Sequence, residues 1–155
     1  MHVTARADYA VRAALALARA HPEPVKGEQL AADHDLPLNF TERILSELRR
    51  AGYVASRRGG DGGYRLAAEP DRISIADLVR AVDGPMADVR GIPPDELEYP
   101  EGAESLQRVW VALRANLRAV LESVTLADLV AGRLPDHVEA LAADPDAWAR
   151  RVGPV

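Results

Sequence analysis

Residues 36–66, LPLNFTERILSELRRAGYVASRRGGDGGYRL, restrict the possible folds more than any other stretch of the chain. Phe40, Ile44, Leu45 and Leu48 fall three or four apart, the spacing of one apolar helical face. Gly52 stands where a left-handed residue ends a helix. Residues 53–56 then read as a short strand and residues 64–66 as its returning partner. Between them lie Arg57, Arg58 and the tip Gly59-Gly60-Asp61-Gly62-Gly63, whose glycines allow a sharp reversal. A helix that runs straight into a tight, arginine-tipped hairpin is the outline of a winged helix. In that arrangement the helix fits a major groove and the hairpin lies along the backbone or minor groove.

Charge is distributed to match. Residues 43–65 hold six arginines (43, 49, 50, 57, 58 and 65) against Glu47 and Asp61, a local +4 in a chain of net charge −5. Up to Leu66 there are ten basic and eight acidic residues; behind it, nine basic and sixteen acidic. This is a local basic footprint on an acidic protein, not a basic protein throughout.

A chain of 155 residues is one domain, or one domain with an appendage, and can bury enough surface to fold without staples. It has no cysteine, which excludes disulfides, thiolate metal sites, cysteine nucleophiles and cysteine-held iron–sulfur clusters. The expectation is therefore no cofactor. No apolar run approaches membrane-spanning length and the first residues lack a signal-peptide core, so a cytoplasmic protein without membrane contact is expected. Alanine is abundant and aromatics are few, which favours helices.

In chain order, residues 4–20 predict a first helix capped by Thr4, with Ala7, Val11, Ala14, Leu15 and Ala18 as its apolar stripe. Arg6 opposes the dipole at that helix start unless an anion is near; phosphate and plain solvent are the two readings. His21-Pro22-Glu23-Pro24 ends the helix. Val25 and Lys26 suggest a short strand, residues 27–34 a second helix, and Asp35-Leu36-Pro37 the link to the third, which together make a helix-turn-helix. Residues 72–85 read as a helix with a Ser74/Asp77 capping box, stopped by Gly84 and Pro85, whose face is Ile75, Leu78, Val79 and Val82. Residues 86–104 form an acidic, proline-bearing loop. From there Leu106, Val109, Trp110, Leu113, Leu117, Val120, Leu121 and Val124 mark a long amphipathic helix, either packed on its own domain or paired with a second copy. Thr125 and Asp128 begin a short helix closed by Gly132. Residues 135–143 and 144–151 suggest two more, with Trp148 docking on something apolar.

The fold class expected is mainly α with a small β-hairpin wing: a winged helix-turn-helix head plus a long dimerisation helix. The expected divisions are a DNA-binding domain at 1–84, the acidic loop at 85–104, the dimerisation helix with the short helix after it at 105–132, and a helical extension at 133–155.

Several of these segments resemble the bacterial winged-helix transcription regulators of the IscR/NsrR/CymR type, the Rrf-two family. They are Asp8-Tyr9-Ala10-Val11-Arg12, Asn39-Phe40-Thr41-Glu42-Arg43-Ile44-Leu45, Leu48-Arg49-Arg50-Ala51-Gly52-Tyr53-Val54 and residues 56–66 with their Gly-Gly-Tyr ending. The likeness resumes at residues 73–84, at Trp110 and at Thr125-Leu126-Ala127-Asp128-Leu129, covering about the first 130 residues. It implies a homodimer with paired long helices, two heads on a palindromic operator, and usually repression. Many members hold an iron–sulfur cluster through three cysteines in the loop before the long helix. Here residues 86–104 contain none, so the chain is similar to a cluster-free branch that responds to another effector or partner protein. Asp8 and His34 fall near positions where some relatives offer non-cysteine ligands; a metal on Asp8, His34 and Asp35 is one reading, and surface or capping roles are the simpler one.

The DNA-contacting set expected is Asn39, Phe40, Thr41, Glu42, Arg43, Arg57, Arg58 and Gly59. An asparagine amide can pair with adenine and a glutamate can accept from cytosine, although Asn39 and Glu42, three apart, could instead form a capping box. Phe40 is either a thymine-methyl contact or core. Thr41 and Arg43 suit phosphates or bases. Arg58 and Gly59 suit a narrow minor groove, and Arg57 a phosphate. Arg49 and Arg50 complement a helix C-terminus with or without DNA. A winged-helix interaction module without DNA binding is the alternative function. An enzyme is disfavoured: the glycine run lacks the Lys-Ser/Thr of a phosphate loop, His2, His21, His34 and His137 show no metal spacing, and no nucleophile–base pair is evident.

Overall fold

A computed structural model describes residues 2–149. Among these residues eight α-helices and one hairpin follow in the order α1 (Ala5–Ala20), α2 (Gly27–Asp33), α3 (Leu38–Arg50), β1 (Val54–Arg57), β2 (Gly63–Leu66), α4 (Ile75–Asp83), α5 (Ser105–Leu121), α6 (Leu126–Ala131), α7 (Asp136–Ala142) and α8 (Pro145–Trp148). This is the winged helix-turn-helix with a long helix behind it that the sequence predicts. Among the described residues no helix is long and apolar enough to cross a membrane.

The first helix is the axis of the core. Thr4 accepts a hydrogen bond from the Ala7 amide (2.9 Å) and so starts it. Its inward face is wider than the predicted stripe: Ala10, Ala13 and Leu17 are buried with Ala7, Ala14 and Ala18, whereas Val11 and Leu15 sit at the edge. Small side chains let neighbouring backbones come close, and the larger groups (Leu30, Ile44, Leu45, Leu48, Leu66, Ile73, Leu78 and Leu126) fill the space around them.

Local signals set the element ends. The Ser74/Asp77 and Thr125/Asp128 capping boxes both close reciprocally. The Thr125 hydroxyl, helped by its amide, holds the Asp128 carboxyl below the usual aspartate range. At the end of α3, Gly52 adopts φ +88°; its amide bonds Arg49 and the Tyr53 amide bonds Leu48 (3.1 and 3.0 Å), a Schellman closure.

The strands pair antiparallel, Val54 with Leu66 through Arg57 with Gly63; both reach one residue closer to the tip than predicted, and β1 starts one residue later. Val25 adds a third rail through two 2.8 Å bonds with Tyr64. A Cβ on Gly63 would lie 2.6 Å from the Val25 carbonyl oxygen, and one on Gly62 would strike the Arg57 carbonyl, so both positions require glycine.

Three expectations change. Val124, placed in the long-helix seam, lies beyond the end of α5. It is buried, and its carbonyl accepts from the Ile75 amide (2.9 Å), because the chain turns back there to pair with residues 73–75. Leu126 follows it into the core beside α1. The loop 86–104 is partly ordered by its own core: Pro94 and Leu97 are buried, and a 3-10 turn at Pro94–Glu96 packs on α5. Trp148 is not docked; it is 81% exposed, and its indole N–H donates to the Ala142 carbonyl (2.6 Å). The last part of the helix predicted at 144–151 lies outside the described residues.

Candidate nucleic-acid interface

The third helix begins at Leu38 after Pro37, with no side-chain cap. Asn39 is therefore its second residue and does not form a capping box with Glu42; both side chains are exposed. At about 100° per residue, Asn39, Phe40, Glu42 and Arg43 share the outward half of the helix, while Thr41, Ile44, Leu45 and Leu48 form the buried half.

Two sequence expectations are corrected. Thr41 is 1% exposed and its hydroxyl donates to the Pro37 carbonyl (3.0 Å), so it belongs to the helix start and not to a DNA-contacting surface. Phe40, for which core was one reading, is 40% exposed. It rests edge-on against Tyr9, ring centroids 5.8 Å apart. Arg12 lies over the other ring of that pair, 5.7 Å from the Tyr9 centroid, and donates to the His34 carbonyl at the end of α2. One cluster thus braces the front of α3 against α1 and α2.

A second brace was not read from the sequence. Glu47, mostly buried, accepts from Arg6 at 2.7 and 3.2 Å and lies 3.4 Å from the Arg43 guanidinium. Arg6 is thus neither free in solvent nor waiting for a phosphate. The anion that its place at the α1 start calls for is a carboxylate 41 residues away. The unfavourable dipole was the available signal; the partner was not.

In the wing, Arg49 donates to the Ser56 hydroxyl (3.0 Å), tying the last turn of α3 to β1. Arg57 and Arg58 are exposed, and their guanidiniums have no hydrogen bond or ion pair among the described residues. Gly59 turns at φ +110° beside them, and the Gly62 amide closes the tip onto its carbonyl (3.0 Å). Two guanidiniums without internal acids beside a bare backbone can meet phosphates or a minor groove.

No residue of α5 is buried. Leu106 and Val109 are exposed; Leu113, Leu117, Val120 and Leu121 are half-buried. Trp110 turns towards the loop, its indole N–H donating to the Tyr99 hydroxyl (2.9 Å). Glu122, just past the helix, pairs with Arg80 of α4 and Arg118 of α5, and these bonds hold its carboxyl below the usual glutamate range.

Comparison with known proteins fits this geometry. Residues 3–132 match the family model Rrf2, described as an iron-dependent transcriptional regulator. A protein of Mycobacterium tuberculosis (strain H37Rv) named as an HTH-type transcriptional regulator, Rv1287, is 48% identical across 93% of this chain and 90% of its own. The structure of CymR, the global cysteine regulator of Bacillus subtilis, superposes with a TM-score of 0.72 at 32% identity, over 85% of this chain and 98% of that one. That of T. potens IscR superposes with a TM-score of 0.69 at 29% identity, over 96% and 97%. These relatives favour DNA binding over an interaction module that has lost it.

The family description raises iron, and the donors here do not fit a cysteine-held cluster. Thiolates are missing from the whole sequence, and among the described residues no three His, Asp or Glu side chains converge. Asp8 instead faces Arg12 at 3.7 Å.

Proposed function

Since the chain belongs to the Rrf2 family of DNA-binding transcriptional regulators, we propose that it acts as a homodimeric, sequence-specific repressor on a palindromic operator, without an iron–sulfur cluster. Asn39, Phe40, Glu42 and Arg43 face base edges in the major groove, and Arg57, Arg58 and Gly59 follow the minor groove or its phosphates. The observation that carries this reading is the division of α3. Its inner half is core, while its outer half presents an amide, a ring, a carboxylate and a guanidinium to solvent. The dimer rests on the incompletely covered face of α5, with Leu106, Val109, Leu113, Leu117, Val120 and Leu121 as the seam and Trp110 at its edge.

Fluorescence anisotropy on duplexes from the region upstream of the protein's own reading frame tests it. With roughly 8 phosphates neutralised by two heads, log K falls against log salt with a slope of about −7. Arg58→Ala weakens binding to every duplex, whereas Asn39→Ala and Glu42→Ala change preference at particular base pairs. A salt-independent response, or equal loss on all sequences for Asn39→Ala, overturns the respective assignment.

A further inference from the structure

Three of the nine basic residues behind Leu66 line a single cavity in the acidic half of the molecule. It measures about 630 Å³ and lies between the end of α4 and the middle of α5. Its charged walls are Arg80, Arg114 and Arg118 with Asp88 and Glu122; Pro85, Met86 and Pro93 supply apolar wall. We propose that this cavity is a binding site for a small organic anion carrying two acidic groups, held by Arg114 and Arg118 and reached by Arg80.

The guanidiniums are only partly engaged. Arg114 uses Nη1 on Asp95 (2.6 Å), and Arg118 uses Nε on Glu122 (2.9 Å). Their remaining N–H groups have no partner among the described residues. Arg114 and Arg118 are one turn apart on the same helical face, so their side chains are neighbours. Each planar fork can take a carboxylate or phosphate through paired bonds. Two acidic groups on one small molecule match two forks one turn apart. A volume of this size is ordinary for a small-ligand site.

Glu122 is the internal competitor. It bridges Arg80 of α4 and Arg118 of α5, so it ties the head to the long helix at the point where an entering anion would bind. An occupant that shares these guanidiniums weakens that tie and changes how α5 sits against the head. This regulatory consequence rests on the DNA-binding reading above; occupancy of the cavity does not.

Calorimetric titration of the full chain, without DNA and at constant ionic strength in chloride, reads occupancy directly. The probes are succinate and citrate for carboxylates, and pyrophosphate and 3-phosphoglycerate for phosphates. At least one probe is expected to bind once per chain with Kd below about 1 mM. The Arg114→Gln/Arg118→Gln variant, its fold checked by circular dichroism, should lose about tenfold or more, and Glu122→Gln should gain severalfold. Glu139→Gln on α7, outside the cavity, should change nothing. No saturable binding by any probe, or binding undiminished in the double arginine variant, overturns the site. Arg58→Ala should bind the probe like the parent, so failure of DNA recognition and failure of the anion site are read separately. Binding that leaves operator affinity unchanged overturns the regulatory consequence.

Discussion

The head and the long helix are both amphipathic, yet they differ in what their apolar faces touch. α1 buries seven residues against α3, α4 and α6, and α3 buries four. α5 is longer than either and buries none. The same helical periodicity therefore has two outcomes. In the head each apolar stripe meets another stripe of the same chain; α5 has one flank on the ordered loop, touches α4 near its C-terminal end, and leaves much of its face open. A helix of this kind gains its stability from tertiary packing rather than propensity, so α5 is the element whose environment a second copy would complete.

The largest effect that tests this contrast belongs to the head. Leu48→Ala removes a fully buried side chain next to α1 and should cost about 2–5 kcal/mol in urea unfolding. A smaller loss would mean the core is looser than its burial indicates. Next, Val109→Asp places a charge on the exposed face of α5. If that face is a dimer seam, sedimentation should show dissociation strengthened by about 3 kcal/mol, roughly a hundredfold. An unchanged association constant, or a parent protein already monomeric at micromolar concentration, breaks the comparison.

Smaller effects sharpen it. Ser74→Ala removes one half of the α4 capping box and should cost about 1 kcal/mol of stability, with no change in association. The smallest concerns the tie between the two regions. Because Arg80 and Arg118 lower the pKa of Glu122, that carboxylate stabilises the fold above the ordinary glutamate range. Its contribution is lost as pH falls through its lowered folded value. Both arginine bonds are partly solvent-screened. Glu122→Gln should therefore slightly flatten the acid limb of the stability curve and leave the neutral-to-basic limb parallel to the parent's. An acid limb unaltered by the substitution would show that the bridge contributes nothing.

Local chemistry was legible in the chain wherever one residue or its near neighbours decided the outcome. Thr4, Ser74/Asp77, Thr125/Asp128 and Gly52 act within three or four residues of themselves, and all were readable from spacing. So was the hairpin, because the glycine tip and the arginines beside it are contiguous. The partner of Val25 was not, since Val25 bonds to Tyr64 from another part of the chain.

Sequence alone determined the order of elements, the wing, the local basic footprint and the absence of thiolate chemistry, because each follows from residue type and short-range geometry. Tertiary structure decided which half of α3 turns inward, burying Thr41 and leaving Phe40 at the surface. It also decided that Val124 belongs to the head, that Arg6 is neutralised by Glu47 and that three arginines share one cavity. A helical repeat shows which side chains lie together on a face. What that face meets is fixed only when segments tens of residues apart pack against it.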